Sequence, residues 1–475
     1  MMIMRKAGIL MPVASLPGPH GVGDFGKEAY RFVDMITEAG FKLWQILPLN
    51  PLGYGNSPYQ AYSSRALDER YVSLEQLRDE GLLTELPESQ RTDTIDYQSS
   101  QLIKREYLWK SYRRFNGAQD YTDFVSQKWV RDYAVFITFK EHNDNRCWVE
   151  WPDEFKNYPV THENWLQEQF AETIRFHCYV QYQLYRQFNA LKKYANEKGI
   201  EIMGDMPFYV GIDSDDVYYN RDYFLLYDDG RPEWIAGVPP DYFSATGQRW
   251  GNPLYNWDHL RRNKYDFWFE RIADAAKIYD IVRIDHFRAF DTYWKIHSSE
   301  ETAINGEWIV NSGHDFFRRF YRQYPDINII AEDLGDLRPE VGKLRDDFNL
   351  MGMLVQEFNF FDETKEHQIC YIGTHDNEAL RTWYRDMDPK EKYAVSRFIC
   401  KKYPKIRGLD RFLQYCLDSR CEIAVLSVND ILHDTRRINL PGTIGSPNWE
   451  YKIAGFRGLN TRLKKIRGMI EAANR

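Results

Sequence analysis

Three acidic residues follow short apolar runs in the second half of the chain, and their spacing could support chemistry on a glycosidic bond. Asp285 follows the run VRI, Glu332 follows IIA and Asp376 follows IGTH. Cleavage with retained configuration needs one carboxylate to attack the anomeric carbon and one carboxylic acid to protonate the leaving oxygen. Asp285 and Glu332 suit these two roles. Asp376 could hold sugar hydroxyls and stabilise an oxocarbenium-like transition state.

Basic residues accompany two of these acids. Arg283 lies two positions before Asp285, so the period-two geometry of a strand places both side chains on one face. Its fixed positive charge could keep Asp285 ionised, although an isolated Arg-x-Asp pair is more often an ordinary ion pair at a strand end. His375 could donate a hydrogen bond beside Asp376. His286 by itself is better explained as a structural residue.

Metal binding is a competing interpretation, because residues 285–286, 332–333 and 375–376 supply carboxylates and imidazoles. Adjacent strand residues point to opposite faces, however, and the sequence has no compact H-x-H or H-E-x-x-H arrangement. It also has no C-x-x-C pair and no glycine-rich phosphate loop. We therefore expect neither a metal nor a cofactor.

The elements that must position these residues follow a repeated pattern. An amphipathic helix begins after Asp24 and ends at Gly40, between the first two predicted strands of the chain. Strands that alternate with helical stretches predict an α/β fold, a (β/α)₈ TIM barrel whose strand ends converge on one cleft. Short apolar runs bounded by turn residues predict its eight strands at 8–16, 42–49, 200–208, 279–287, 327–334, 352–358, 369–375 and 421–428.

Two connections are too long for simple crossovers, so the barrel is expected to carry inserted subdomains. The catalytic barrel is predicted at 1–50 and 200–475. Residues 51–199 contain amphipathic stretches, which predict a mainly helical insertion after the second strand. Residues 209–262 are rich in Gly, Pro, Trp, Tyr and Asp, which predicts a loop-rich insertion after the third strand.

Composition narrows the range of partners. The 475 residues include 62 Lys and Arg against 70 Asp and Glu, a net charge of -8, and show no basic stripe. Nucleic acid is therefore a poor candidate. The sequence lacks a run of about 18 apolar residues for a membrane span, and its cysteine pattern suits a reducing compartment, so we expect a cytoplasmic protein. Aromatic residues make up 16% of the chain; their rings stack on the C–H faces of sugars but also fill cores.

An ordered set of motifs runs through nearly the whole chain. They are SLPGPHGVGD at 15–24, WQILPL at 44–49, GNSPYQ at 55–60, GDMP at 204–207, DYFSATGQRWGNP at 241–253 and PGTIG at 441–445. Together with the three acids, this set resembles the 4-α-glucanotransferases of the amylomaltase or disproportionating-enzyme type, which are relatives of the α-amylases.

The resemblance implies roles for particular residues. Asp285 would be the nucleophile, Glu332 the general acid/base and Asp376 the transition-state stabiliser. Tyr59 would stack on the reacting sugar, and Asp205 would support the site. Two further residues would contact that sugar, and aromatic residues of a loop at 240–253 would grip a glucan. The substrate-binding residues implied in this way are Tyr59, Asp205, Tyr242, Phe243, Trp250, Arg283 and His375.

The activity that the resemblance implies is transfer of an α-1,4-glucan segment to the 4-hydroxyl of glucose or a maltooligosaccharide. Transfer would retain configuration, pass through a covalent glycosyl-enzyme and require no cofactor. An α-1,4-glucan hydrolase would use the same carboxylates, and a non-catalytic glucan-binding protein would keep the aromatic residues. A metal-dependent barrel hydrolase is a third alternative, which loss of activity on chelation would reveal.

Overall fold

The structure, a computed structural model, describes residues 5–240, 244–358 and 360–475. Its largest sheet has eight parallel strands, β1 (Lys6–Leu10), β2 (Leu43–Gln45), β3 (Glu201–Met206), β4 (Ile281–Ile284), β5 (Ile329–Ala331), β6 (Gly352–Val355), β7 (Gln368–Tyr371) and β8 (Ile423–Ser427). Neighbouring strands are hydrogen-bonded in the order β6, β7, β8, β1, β2, β3, β4, β5. A parallel bridge between Ile330 and Met351 joins β5 to the residue before β6, so the sheet closes on itself. This is the predicted (β/α)₈ TIM barrel.

The barrel strands are apolar and almost completely buried, as parallel strands covered on both faces must be. In β8, for example, all five residues of IAVLS are buried. Six of the eight predicted apolar runs contain one of these strands, whereas β1 and β7 begin two residues and one residue before the runs 8–16 and 369–375. Every run extends past the end of its strand, because the apolar residues continue into the loop. The run 279–287 illustrates this: β4 ends at Ile284, and the chain turns at His286, whose φ is 53°.

Helices alternate with the barrel strands. The helix predicted between β1 and β2 spans Lys27–Glu38 and buries Phe32, which meets Trp44 of β2 at a ring-centroid distance of 5.0 Å. It ends before Gly40, whose φ of 91° lies in the left-handed region that favours glycine. The other α-helices are Leu74–Asp79, Tyr97–Tyr112, Tyr121–Ser126, Lys128–His142, Asp153–Lys156, Tyr158–Thr161, Asn164–Gln169, Ala171–Glu197, Asp215–Tyr219, Trp257–Arg262, Asp266–Ile278, Gly313–Gln323, Pro339–Asp347, Leu380–Asp386, Pro389–Lys402, Asp410–Leu417, Val428–Ile431 and Arg457–Ala472.

The chain between β2 and β3 is mainly helical. Its longest helix, Ala171–Glu197, packs against both β3 and the helix Lys27–Glu38, so it covers the barrel wall. This helix lies within residues 51–199, for which the sequence predicts a mainly helical insertion. The division into 1–50 with 200–475, 51–199 and 209–262 stays a prediction.

A second sheet lies in the loops after β3 and β4. Its four antiparallel strands are, in spatial order, Gln248–Pro253, Trp234–Val238, Thr292–His297 and Gly306–Val310. The sequence predicts loops at 209–262, where the structure has two strands. These strands were not predicted because their sheet is completed by two strands from another segment of the chain. The sheet ties the two loops together beside the ends of β3 and β4.

Short 3₁₀ helices occupy several connections, at Val13–Ser15, Tyr54–Asn56, Glu69–Tyr71, Trp148–Glu150, Arg221–Tyr223 and Phe287–Phe290. Among the described residues, no helix combines the length and the apolar character needed to cross a membrane.

Candidate active site

Acidic side chains gather where four of the barrel strands end. Asp205 is the penultimate residue of β3, Asp285 directly follows β4, and Glu332 directly follows β5. Asp376 lies in the turn after β7. The backbone N–H of Asp285 donates to the carbonyl of Met206, and that of Glu332 donates to the carbonyl of the last residue of β4. Barrel hydrogen bonding therefore continues through both acids and fixes their backbones.

The glycine that precedes Asp205 in β3 leaves room for a neighbouring ring. A Cβ on Gly204 would lie 2.2 Å from the ring of Tyr279, which packs directly on the strand backbone. Arg283 is the register partner of Asp205 across β3 and β4. In the motif GDMP, the glycine is therefore required by packing, and the aspartate is paired with the charge of Arg283.

Arg283 connects two carboxylates. Its Nη1 donates to Asp205 Oδ1 and Oδ2 at 2.6 and 2.7 Å, and to Asp285 Oδ1 at 3.0 Å. The Arg283 side chain is 4% exposed, whereas that of Asp285 is 31% exposed. A buried charge is tolerated only when paired and hydrogen-bonded, so the three groups form one interdependent cluster. The exposure of Asp285 leaves it as the member that a ligand can reach.

Asp285 and Glu332 have different acidities. Burial raises the pKa of Asp285 to about 6, while the charge of Arg283 acts in the opposite direction. Burial, followed by the negative charge of Asp285, raises the pKa of Glu332 to about 8. Two carboxyl groups whose environments separate their pKa values can divide the roles of acid and base. Near pH 7 this favours an ionised Asp285 beside a protonated Glu332.

Backbone N–H groups orient the Glu332 carboxyl. The N–H of His286 donates to Oε2 at 2.8 Å, and that of Leu334 donates to Oε1 at 3.2 Å. The His286 ring meets Trp250 edge-on at a centroid distance of 4.9 Å. Burial, with the positive charge of Arg288, lowers the pKa of the His286 imidazole to about 3. His286 therefore acts as a neutral packing residue here.

Tyr59 and His375 form a stacked, hydrogen-bonded pair. Their ring centroids are 5.5 Å apart with an interplanar angle of 13°. The Tyr59 hydroxyl donates to Asp205 Oδ2 at 2.8 Å and lies 2.9 Å from His375 Nε2. Because the hydroxyl has a single hydrogen, His375 must carry a hydrogen on Nε2 to donate to it. Burial raises the pKa of Tyr59 well above its ordinary value, so the phenol stays neutral.

Asp376 is held by residues that the sequence analysis missed. Asn439 Nδ2 donates to Asp376 Oδ1 at 2.6 Å, and Arg437 Nη2 donates to its backbone carbonyl at 2.6 Å. His375 Nε2 lies 3.4 Å from Asp376 Oδ2. Arg437 and Asn439 belong to the segment RIN just before the motif PGTIG. Their proximity to that motif was the only sequence signal that pointed to them.

The structure brings most of the predicted site residues together. Trp250 lies in the strand Gln248–Pro253, partly exposed, next to His286. Tyr242 and Phe243 fall outside the described residues. Within 5–240, 244–358 and 360–475, no group of three or more His, Cys, Asp or Glu side chains could hold a metal ion. The residues assembled at the strand ends are Tyr59, Asp205, Arg283, Asp285, Glu332, His375 and Asp376.

A barrel with two carboxyl groups of unequal acidity at the ends of adjacent strands is an arrangement that enzymes acting on glycosidic bonds use. The comparison with known proteins gives the family. A family model described as 4-alpha-glucanotransferase, glycoside hydrolase family 77, matches residues 11–458. The chain belongs to this family.

Individual relatives agree along the full length. The 4-alpha-glucanotransferase of Aquifex aeolicus is 36% identical over 469 residues, covering 95% of this chain and 96% of that protein. The 4-alpha-glucanotransferase of Thermus thermophilus is 35% identical over 500 residues, covering 100% of both. The amylomaltase of Streptococcus agalactiae, solved in complex with acarbose, has a TM-score of 0.93 at 34% identity and covers 99% of each chain.

Proposed function

We propose that this chain transfers α-1,4-glucan segments between sugars through a covalent glycosyl-enzyme, with Asp285 as nucleophile and Glu332 as general acid/base. The observation that carries these roles is the different surroundings of the two carboxyl groups, one paired with Arg283 and the other buried with backbone N–H contacts alone. Arg283 contacts Asp285 and favours its ionised form, whereas burial beside Asp285 keeps Glu332 protonated. The family's activity and the names of the relatives support a glucan as the substrate.

In the first half of the reaction, the Glu332 carboxyl gives its proton to the bridging oxygen as the glycosidic bond breaks. Asp285 attacks the anomeric carbon, and the bond that forms stores the donor segment on the enzyme. The leaving chain departs as a neutral alcohol. Glu332 becomes a carboxylate, and the two N–H groups that already point at its oxygens favour that form.

Positive charge develops on the sugar ring in the transition state, and Asp376 supplies the opposing negative charge. Asn439 holds one of its oxygens, which leaves Oδ2 facing His375. Tyr59 and His375 form a flat aromatic pair for the reacting ring, and Asp205 holds the hydroxyl of Tyr59 in place. Preorganised groups of this kind act most strongly where charge develops.

In the second half, the 4-hydroxyl of an acceptor sugar enters and Glu332 takes its proton as the oxygen attacks the anomeric carbon. The covalent bond to Asp285 breaks, and configuration is retained after two inversions. We propose glucose and maltooligosaccharides as acceptors. Water would yield hydrolysis at the same carboxylates, and the family favours the sugar acceptor. We also propose that the enzyme works in the cytoplasm, because all six of its cysteines are free thiols.

The product distribution from maltotriose tests this function. Purified protein should produce glucose together with oligosaccharides longer than the substrate, with and without a chelator. Glucose and maltose alone would mean a hydrolase on the same barrel. Loss of activity with the chelator would support the metal-dependent alternative. If maltotriose is unchanged, the assay is repeated with maltoheptaose, and no turnover of either donor would overturn the proposal in favour of a binding protein.

A further inference from the structure

Trp449 lies against two residues of the candidate site and has an unusual backbone. Its ring centroid is 5.7 Å from that of Tyr59 and 6.0 Å from that of His375. Its φ is 66°, in the left-handed region that bulky residues rarely adopt. The residue is 9% exposed. A strained conformation at a buried aromatic residue beside a site calls for a reason other than simple packing.

The surrounding structure holds this conformation from two sides. The backbone N–H of Trp449 donates to the carbonyl of Ile438 at 2.8 Å, next to the residues that hold Asp376. The hydroxyl of Tyr97, on the helix Tyr97–Tyr112, donates to the carbonyl of Trp449 at 2.6 Å. Both peptide groups of Trp449 are therefore fixed, and relaxation to an ordinary φ would break this arrangement. The strain is maintained by specific hydrogen bonds.

Tyr59 comes from a loop that is partly exposed, so its ring depends on packing from other parts of the chain. Tyr54, at the start of the neighbouring 3₁₀ helix, is 78% exposed, and residues 53–57 are partly exposed or exposed. The hydroxyl of Tyr59 is held by Asp205 and His375, so both hydrogen bonds act at one end of the ring. Trp449 packs against the ring itself, with a centroid distance of 5.7 Å.

We propose that Trp449 is a positioning residue for the reacting sugar: it keeps the Tyr59 ring and the His375 imidazole stacked where both can contact that sugar. This inference rests on the proposed function. Trp449 acts through Tyr59 and His375, which serve every donor alike. Its loss should therefore lower turnover by a similar factor for short and long glucans.

Kinetics of two variants test the proposal. We expect Trp449→Ala to lower kcat by about 30- to 100-fold with both maltotriose and maltoheptaose, since small misplacements cost factors of this size. KM should change by less than about threefold. Trp449→Phe keeps a ring and should recover most of the loss. Rates are expressed per trapped glycosyl-enzyme, so a variant that only folds poorly keeps its normal kcat. A kcat within about twofold of wild type in Trp449→Ala would overturn the proposal.

A spectroscopic measurement separates this proposal from the proposed function. Nitrogen-15 NMR of the His375 ring reports whether Nε2 carries its hydrogen, whether or not the protein is active. In wild type we expect a single form with hydrogen on Nε2, and in Trp449→Ala a mixture of forms. His375→Gln assigns the signals, and Trp165→Ala, at an exposed tryptophan in another part of the chain, is the matched control. Unchanged His375 signals in Trp449→Ala would refute the positioning role even if the enzyme proved to be a hydrolase.

Discussion

The backbone N–H of His286 donates to Glu332 Oε2 at 2.8 Å, so the residue directly after the proposed nucleophile holds the proposed general acid. His286 itself has a left-handed backbone, with φ 53°, so the chain turns directly after this N–H. A hydrogen bond to a carboxylate favours its charged form, so this contact lowers the pKa of Glu332, whereas burial and the negative charge of Asp285 raise it. One short turn after β4 thus fixes the geometry of both groups.

The first prediction concerns the pH dependence of kcat/KM, which reports groups of the free enzyme. Activity requires ionised Asp285 and protonated Glu332, whose pKa values are about 6 and about 8. We expect a bell-shaped profile. The acid limb falls as Asp285 takes up a proton, and the alkaline limb falls as Glu332 loses one. Initial rates with maltotriose between pH 4.5 and 9.5 measure both limbs, and a flat profile between pH 5 and 9 would contradict the assignment.

The second prediction is that Glu332→Gln stabilises the protein at alkaline pH. Folding raises the pKa of Glu332 from 4.5 to about 8, so the folded state binds the extra proton between these values. Stability contributed by this carboxyl therefore falls as pH rises from about 4.5 to 8. The increase in the free energy of unfolding of Glu332→Gln over wild type should be absent at pH 4 and grow to at most about 4 to 5 kcal/mol at pH 8.5. Turnover of the variant should be abolished at every pH.

Denaturant unfolding at pH 4, 6 and 8.5 measures the free energy of unfolding for this comparison. Asp326→Asn, an exposed acid remote from the barrel cleft, is the control and should show no pH-dependent gain. A gain in Glu332→Gln that is equal at all three pH values would mean that folding does not change the pKa of this carboxyl, and would contradict the prediction.

The third prediction is that Asp285→Asn loses turnover by at least about 10⁴-fold while glucan binding is largely retained. The change removes the nucleophile but little volume, and the loss of a group that acts only in the reaction appears in kcat. Coupled rates with maltotriose and calorimetric titration with the same sugar measure the two effects. Turnover near that of Asp326→Asn would exclude Asp285 as the nucleophile.

The three acids could be placed from sequence because each follows an apolar run, and parallel strands in a barrel bring their ends to one edge. Arg283 followed from its spacing to Asp285. Tyr59 and Asp205 came only from the family resemblance, since their hydrogen bond joins residues 146 positions apart. No local pattern encodes such a contact.

Arg437, Asn439 and Trp449 were missed for the same reason. Asn439 reaches Asp376 across 63 positions, from the loop after β8, and its own sequence neighbourhood reads as an ordinary turn. The antiparallel sheet was also missed, because the strand Trp234–Val238 pairs with Thr292–His297, and β4 lies between these two strands in the sequence. Strand pairing across an intervening barrel strand depends on the completed fold.

The last prediction is that Trp250→Ala affects long glucans more than short ones, in contrast to Trp449→Ala. Trp250 belongs to the four-stranded antiparallel sheet, which lies outside the ends of the barrel strands, and its ring packs on His286. Because the ring is partly exposed, it can contact sugars beyond the reacting one. We expect kcat/KM to fall by about tenfold for maltoheptaose and by less than about threefold for maltotriose. Trp250→Phe should recover most of the maltoheptaose loss because it restores a stacking face. Equal losses on both donors would show that the ring supports Glu332 through His286 and does not contact an extended chain.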